Sequence, residues 1–341
     1  MDKYQVAIVG ATGMVGGEFI KVLEQRNFPI SSMQMFASDR SAGKKLLFAG
    51  EEYEVKETGV DSFKNVDIAF FSAGSDISRH FAPLAAKCGA VVIDNSAAFR
   101  MDDTVPLVVP EINSGDIRLH KGIIANPNCS TIQMVVALYP LHKVNPIKRI
   151  VVTSFQSVSG TGAAAVEELT LQCEQILSGQ TPAPHVYPHQ IGFNVLPHID
   201  VFLDNGYTKE EWKMLEETRK IMHAESLSVS ATCVRVPVYI GHAEAINVEF
   251  TNPLSPENAR LLLSQAPGVQ VMDEPKTNLY PTPRMTAGTD ITYVGRIRND
   301  VSHPNGLVMW VVADNIRKGA ALNAVQIAEE VIKNNWLRHG G

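Results

Sequence analysis

Short apolar runs alternate with helical patterns through the first third of the chain. Gln5 to Val9, Met33 to Ala37, Asp67 to Ser72, Ala90 to Asp94 and Gly122 to Ala125 are of strand length, while Met14 to Arg26 and Ile77 to Cys88 carry apolar residues at helical spacing. Strands joined by crossover helices predict an α/β domain with a doubly wound parallel sheet. Leu46 to Lys56 reads as a hairpin. From Ile147 the pattern changes. Long β-rich stretches (Ile147 to Phe155, Leu227 to Val238, Ala243 to Phe250) alternate with expected helices at Ala163 to Leu177, Lys209 to His223 and Pro256 to Ser264, and the proline-rich Thr181 to Pro188 is a loop. A second, mixed α+β domain follows. After a strand at Leu307 to Ala313, Gly319 to Trp336 is strongly amphipathic. The expected division is 1–128 and 129–318, with a terminal helix over 319–341 packing back on the first domain.

A chain of 341 residues, 45% hydrophobic and 19% charged, is long enough for two substantial cores. The formal charge of -6 comes with no basic stripe interleaved with aromatics, which argues against nucleic acid as a partner. The start, Met1-Asp2-Lys3-Tyr4, leads into a short apolar stretch soon broken by glycines, so neither a signal peptide nor a membrane span is expected, and the location expected is the cytoplasm. Cys88, Cys129, Cys173 and Cys233 lie far apart with no CxxC pair. This spacing fits reduced thiols and gives no metal site.

The segment Ile124-Ala125-Asn126-Pro127-Asn128-Cys129-Ser130 places one thiol where a strand stops and an apolar helix begins. Unpaired backbone N–H groups and the partial positive charge of a helix start favour thiolate and can hold an oxyanion, so Cys129 is a candidate nucleophile. On position alone a buried structural cysteine is equally compatible.

The first strand leads into Gly10-Ala11-Thr12-Gly13-Met14-Val15-Gly16 and then a helix, the Rossmann-type context in which a glycine loop brings backbone amides against a pyrophosphate. The spacing is G-x-x-G-x-x-G, and a plain tight turn is the alternative. After the second strand, Ser38-Asp39-Arg40-Ser41 offers an arginine among serines, which suits a 2′-phosphate and so NADP over NAD. Ser72-Ala73-Gly74 ends a further strand, where cofactor contacts gather or the chain simply turns.

Among ten histidines, His242 stands out, following a glycine between two β-rich runs in Arg235-Val236-Pro237-Val238-Tyr239-Ile240-Gly241-His242-Ala243-Glu244. Arg100, just past a strand end, suits carboxylate or phosphate recognition, or is a solvated loop residue. Glu210 and Lys213 share a helix face at i, i+3, as functional partners or as a surface ion pair. Gln156 sits at a strand end beside a Ser/Gly loop.

Taken together, the Gly10 loop, Asp94 to Arg100, Asn126 to Ser130, Ser157 to Gly162, Arg235 to Glu244 and Asp314-Asn315 to Ala320 strongly resemble the aspartate-semialdehyde dehydrogenase family along nearly the whole chain. The resemblance implies a Rossmann-type domain plus a catalytic and dimerisation domain, a homodimer, and NADP-dependent reductive dephosphorylation of aspartyl 4-phosphate to aspartate 4-semialdehyde for lysine (through diaminopimelate), methionine and threonine biosynthesis. It implies Cys129 as nucleophile, His242 as acid/base and Gln156 orienting the reacting carbonyl. Arg235 would hold the substrate carboxylate and Glu210, or its neighbour Glu211, the ammonium, with Arg100, Asn128 and Lys213 around the phosphate. The cofactor would meet Gly10, Thr12, Gly13, Met14, Val15, Ser38, Arg40, Ser41, Ser72, Ala73 and Gly74, with Ser159, Gly160 and Asn315 near the nicotinamide. Departures, Leu322 where relatives often carry tryptophan and a short segment between Ser178 and His189, are expected not to touch the chemistry. An N-acetyl-γ-glutamyl-phosphate reductase is the nearest alternative, and a catalytically silent nucleotide sensor a different class.

Overall fold

The computed structural model describes residues 3–337 and divides into two compact units, one of residues up to Asn128 together with those from Ala320, the other Cys129–Gly319. The first unit contains β1 (Tyr4–Val9), α1 (Met14–Gln25), β2 (Ile30–Ala37), β3 (Lys45–Phe48), β4 (Glu51–Glu57), β5 (Ile68–Phe71), α2 (Ser75–Lys87), β6 (Val91–Asp94), α3 (Pro110–Asn113) and β7 (Ile123–Ala125). The second contains α4 (Cys129–Val144), β8 (Ile147–Gln156), α5 (Ala163–Leu177), α6 (Lys209–Met222), β9 (Ser228–Arg235), β10 (His242–Phe250), α7 (Pro256–Ser264), β11 (Val269–Val271), α8 (Pro283–Thr286), β12 (Thr292–Asn299) and β13 (Gly306–Ala313). The terminal helix α9 (Leu322–Lys333) belongs to the first unit.

The first sheet has seven strands in the order β3-β4-β2-β1-β5-β6-β7. Its strand pairs are parallel except β3 with β4. The expected hairpin thus adds an antiparallel edge to the parallel sheet. Alternation along β1 decides the layering. Val6 and Ile8 point into a core shared with Phe19 and Leu23 of α1 and Val325 and Ala328 of α9, whereas Ala7 and Val9 point into one shared with Phe71, Ala82 and Ala85. Helices on both faces make it doubly wound. Leu322, the departure from the tryptophan, is buried in the α9 core.

The second unit is built on a six-stranded sheet ordered β11-β12-β13-β10-β8-β9, parallel at β8·β9 and β11·β12 and antiparallel elsewhere. Helix α4 is buried at every position from Ser130 to Leu138, as expected of a helix that is apolar all round. The expected helices at Ala163–Leu177 and Pro256–Ser264 match α5 and α7. The terminal element differs from expectation. A π-helical turn spans Arg317–Ala321, and the regular α-helix begins only at Leu322 and stops at Lys333. Within this turn glycine is required at 319, because a Cβ there would sit 2.9 Å from the Cβ of Cys129. Positions 338–341 of the expected helix lie outside the described residues.

Candidate active site

In the first unit the three loop glycines do different work. Gly10 has φ +87 and a Cβ on it would lie 2.4 Å from the Ser72 carbonyl oxygen, so the first glycine and the Ser72-Ala73-Gly74 turn are necessarily adjacent. A Cβ on Gly16 would meet the Gly10 carbonyl oxygen at 2.1 Å, so the third glycine seats α1 on the loop. Gly13 is the N-cap of α1, with no side-chain cap and no acidic residue in the first turn. Met14 and Val15 begin that helix, so their N–H groups belong to an uncapped positive end. Thr12 Oγ1 donates to Ser41 Oγ at 3.2 Å, bringing the Ser38-Asp39-Arg40-Ser41 turn beside the glycine loop, with Ser38 and Arg40 exposed. An anionic dinucleotide fits these donors.

Arg100 is also in this unit and buried. Its Nη2 donates to the Asn95 carbonyl at 2.7 Å. The turn leading to it is held by Asp94, whose fully buried carboxylate accepts from Ser78 Oγ and Ser96 Oγ at 2.7 Å each and from the Ser96 N–H at 3.0 Å. Burial raises its carboxyl above the ordinary range, against the pull of those bonds. Asn128 is buried; nearby, Asn126 accepts from Asn323 at 2.7 Å, so the first asparagine of Asn-Pro-Asn is a structural clasp to α9.

Register assembles the second unit's groups. β8 pairs Gln156 with Arg235 of β9, and Phe155 with Ala243 of β10, so Gln156, Arg235 and His242 share one end of the sheet. The backbone N–H of Ser157 donates to His242 Nδ1 at 3.0 Å. A backbone N–H can only donate, so Nδ1 carries the lone pair and the proton of the neutral ring is on Nε2. Arg235 Nη1 donates to the Ser157 carbonyl at 2.7 Å, so one residue fixes both groups. Asn315 Oδ1 accepts from the Gly241 N–H at 2.8 Å and from Ser157 Oγ at 3.1 Å, while its Nδ2 donates to Ser159 Oγ at 3.0 Å. Gly160 lies against the pair; a Cβ there would be 3.0 Å from Arg235 Nη1 and 3.3 Å from His242 Nε2. Complete burial, then the Arg235 charge, hold His242 well below its usual range.

Gln156 Nε2 donates to Ser154 Oγ at 3.1 Å and to Glu210 Oε1 at 3.2 Å. Lys213 Nζ donates to Glu210 at 3.2 Å and to Asp200 at 2.7 Å, so the pair at i, i+3 forms and a carboxylate not foreseen joins it. Glu211, the competing neighbour, is spent: its carboxylate accepts from the Thr208 N–H at 2.7 Å, completing a capping box, and from the Cys233 N–H at 2.9 Å. Cys129 is half-buried at the first residue of α4, against Gly319. Burial pushes the Cys233 thiol up, as befits a core residue.

Sequence reasoning passed over Ser157, although it lies inside a quoted stretch; nothing local marks a backbone N–H as a histidine's partner. The segment between Ser178 and His189, expected not to touch the chemistry, carries Tyr187, whose ring lies 5.9 Å from the Arg235 guanidinium. Among the described residues there is no cluster able to hold a metal ion and no helix long and apolar enough to cross a membrane.

Residues 5–120 match the family model described as semialdehyde dehydrogenase, NAD binding domain, and residues 138–318 the one described as semialdehyde dehydrogenase, dimerisation domain. Aspartate-semialdehyde dehydrogenase of Aquifex aeolicus is 59% identical over 338 residues, covering 98% of this chain and 99% of that protein. The crystal structure of aspartate semialdehyde dehydrogenase II from Vibrio cholerae complexed with ASA superposes with a TM-score of 0.96 at 47% identity, covering 98% of this chain and 99% of that one. The Candida albicans enzyme with NADP gives 0.77 at 26% identity, covering 98% and 99%.

Proposed function

The chain belongs to the aspartate-semialdehyde dehydrogenase family and carries a nicotinamide-dinucleotide domain, and from that premise we propose how its own residues run the reaction, with NADP as the dinucleotide. Cys129 is the nucleophile. In the biosynthetic direction its thiolate attacks the acyl carbon of aspartyl 4-phosphate, the C–O bond to phosphate breaks, and inorganic phosphate leaves, taking up a proton from water. A thioester to Cys129 remains. NADPH, when bound, supplies a hydride. The resulting oxyanion on the carbon attached to Cys129 collapses to the aldehyde, releasing the thiolate.

The observation that carries this reading is the convergence of Arg235 and His242 on Ser157 at one end of the sheet. His242, with Nδ1 occupied, presents its Nε2–H to the reacting oxygen and steadies the oxyanion as a hydrogen-bond donor. Arg235 takes the substrate carboxylate. Glu210 takes the ammonium, since its partners are the side chains of Gln156 and Lys213, which can turn, whereas both oxygens of Glu211 accept from backbone N–H groups. As the ammonium occupies Glu210, a Gln156 amide hydrogen turns to the reacting carbonyl. Arg100, Asn128 and Lys213 serve the phosphate. Gly10, Thr12, Gly13, Met14, Val15, Ser72, Ala73 and Gly74 hold the dinucleotide, Ser38, Arg40 and Ser41 its 2′-phosphate, and Ser159, Gly160 and Asn315 the nicotinamide end. Residues 1–128 with the terminal helix form the dinucleotide domain and 129–318 the catalytic domain, through which two copies pair, in the cytoplasm.

Phosphate-dependent NADPH formation from aspartate semialdehyde tests the reaction. Comparing kcat/KM for NADP and NAD in wild type and Arg40→Ala tests the cofactor; an unchanged ratio removes Arg40 from the 2′-phosphate. N-acetyl-γ-glutamyl semialdehyde, which lacks a free ammonium for Glu210, is the control substrate and should turn over poorly.

A further inference from the structure

The loop that follows α5 is fastened at both ends to groups that lead to Arg235. Glu168 of α5, itself only 6% exposed, accepts from three successive backbone N–H groups, those of His185 at 2.9 Å, of Val186, and of Tyr187 at 3.5 Å. One helical turn on, Gln172 Oε1 accepts from the N–H of Ile191 at 2.8 Å and of Gly192 at 2.9 Å. Spacing of i, i+4 puts both acceptors on one face of α5, so a stretch with no secondary structure of its own is docked by two side chains. Gly192 is needed at the second anchor, where a Cβ would come within 3.0 Å of Gln172 Cβ.

The same stretch meets Arg235 twice. Leu196 exchanges two backbone hydrogen bonds with it, Arg235 N–H to the Leu196 carbonyl at 2.8 Å and the reverse at 3.0 Å. Tyr187 lays its ring 5.9 Å from the guanidinium carbon, and its hydroxyl donates to Thr161 Oγ1 at 3.0 Å, tying it to the loop that carries Ser159 and Gly160. Side chain and backbone of Arg235 are therefore both braced from one strap. Arg235 Nη1 is already committed to the Ser157 carbonyl, and a planar guanidinium with one corner fixed and an aromatic ring beside its carbon has few orientations left.

We propose that residues 185–196 are a positioning strap for Arg235, in which Tyr187, anchored through Glu168, orients the guanidinium toward the substrate carboxylate and so sets specificity for an α-amino acid aldehyde. The inference rests on Arg235 as the group that holds the substrate carboxylate. Neither Tyr187 nor Glu168 touches the reacting atoms. Their contribution therefore falls on affinity for a carboxylate-bearing substrate and not on the chemical step.

Steady-state kinetics of the full-length enzyme with aspartate semialdehyde, and with 3-aminopropanal as the aldehyde lacking the carboxylate, test it in Tyr187→Leu, Tyr187→Phe, Glu168→Ala and Arg235→Lys. Tyr187→Leu and Glu168→Ala should raise KM for aspartate semialdehyde about tenfold, with kcat within about twofold and kcat/KM for 3-aminopropanal unaltered; Tyr187→Phe, which keeps the ring, should regain most of the affinity. If Arg235→Lys raises KM but Tyr187→Leu does not, or if Tyr187→Leu impairs both aldehydes equally, the strap is overturned while the proposed reaction stands. If Arg235→Lys leaves KM for aspartate semialdehyde untouched, the carboxylate assignment itself falls and the strap with it. Tyr187 is half-buried at the surface, so its variants should fold even if Glu168→Ala does not.

Discussion

Ser157 donates its backbone N–H to Nδ1 of His242 at 3.0 Å, which fixes the imidazole as the Nε2–H tautomer. Burial and then Arg235 hold this ring well below its ordinary 6.5. A histidine depressed in the fold binds its proton first in the unfolded chain. Its contribution to stability is complete above the unfolded value and is lost as pH falls from about 6.5 toward the folded one. Chemical denaturation at about pH 7.5 and about pH 5.5 should show a larger acid loss for wild type than for His242→Gln. Equal losses would mean the ring is not buried neutral.

Glu244 has the opposite sign. It is fully buried two residues along β10, and burial raises its carboxyl well above 4.5, with Gln133 pulling the other way. A carboxyl raised in the fold gives its full stability below the unfolded value and loses it as pH rises toward the folded one. Glu244→Gln keeps the shape without the ionisation cost, so its Tm should exceed wild type near pH 8 and converge with it near about pH 4.5. A variant less stable than wild type at both pH values would contradict this.

Cys129→Ala should lower turnover by roughly 10³-fold or more while leaving dinucleotide binding intact, because the covalent route is removed and the cofactor loop is not. Mass spectrometry of acid-quenched wild-type enzyme should find an acyl adduct on the peptide containing Cys129, and none in the variant. Turnover retained by Cys129→Ala would falsify the thioester route.

Thr208→Ala and Glu210→Gln should separate a structural role from a binding one, although they are two residues apart. Loss of the Thr208 cap costs about 1 kcal/mol of stability with KM little changed. Glu210→Gln should raise KM for aspartate semialdehyde with little change in Tm. If the two effects are exchanged, the assignment of Glu210 to the ammonium is wrong.

Gly160→Ala should lower kcat/KM by roughly tenfold or more with a small effect on Tm, since the added methyl would sit 3.0 Å from Arg235 Nη1 and 3.3 Å from His242 Nε2. Kinetics indistinguishable from wild type would show that the two side chains can retreat without penalty.

Several elements were legible because their signal is local. The continuous apolar run in Gln5 to Val9 matches a β1 buried on both faces between two cores, and the apolar spacing at Ala163–Leu177 and Pro256–Ser264 gives both helices to the residue. The second half of the mixed sheet was less so. β11 is three residues long and β12 is bent where Arg296 takes φ +55, so neither presents a long alternating run.

What the residues by themselves determined is the chemical inventory: a thiol at a helix start, a glycine loop after a first strand, arginines and a histidine in a family's order. Local periodicity and backbone preference are written within each stretch, so the order of elements and the candidate nucleophile needed no fold. Only the tertiary structure decided which groups meet. That the Glu211 carboxylate is held by a capping box and the Cys233 N–H, while Glu210 meets Gln156 and Lys213, depends on how α6 packs on the sheet, and the tautomer of His242 on a backbone donor 85 residues away. Tyr187 comes beside Arg235 because α5 docks an irregular loop. Such meetings are set by strand register and by hydrogen bonds to the backbone, which carry no side-chain signature for a sequence to display.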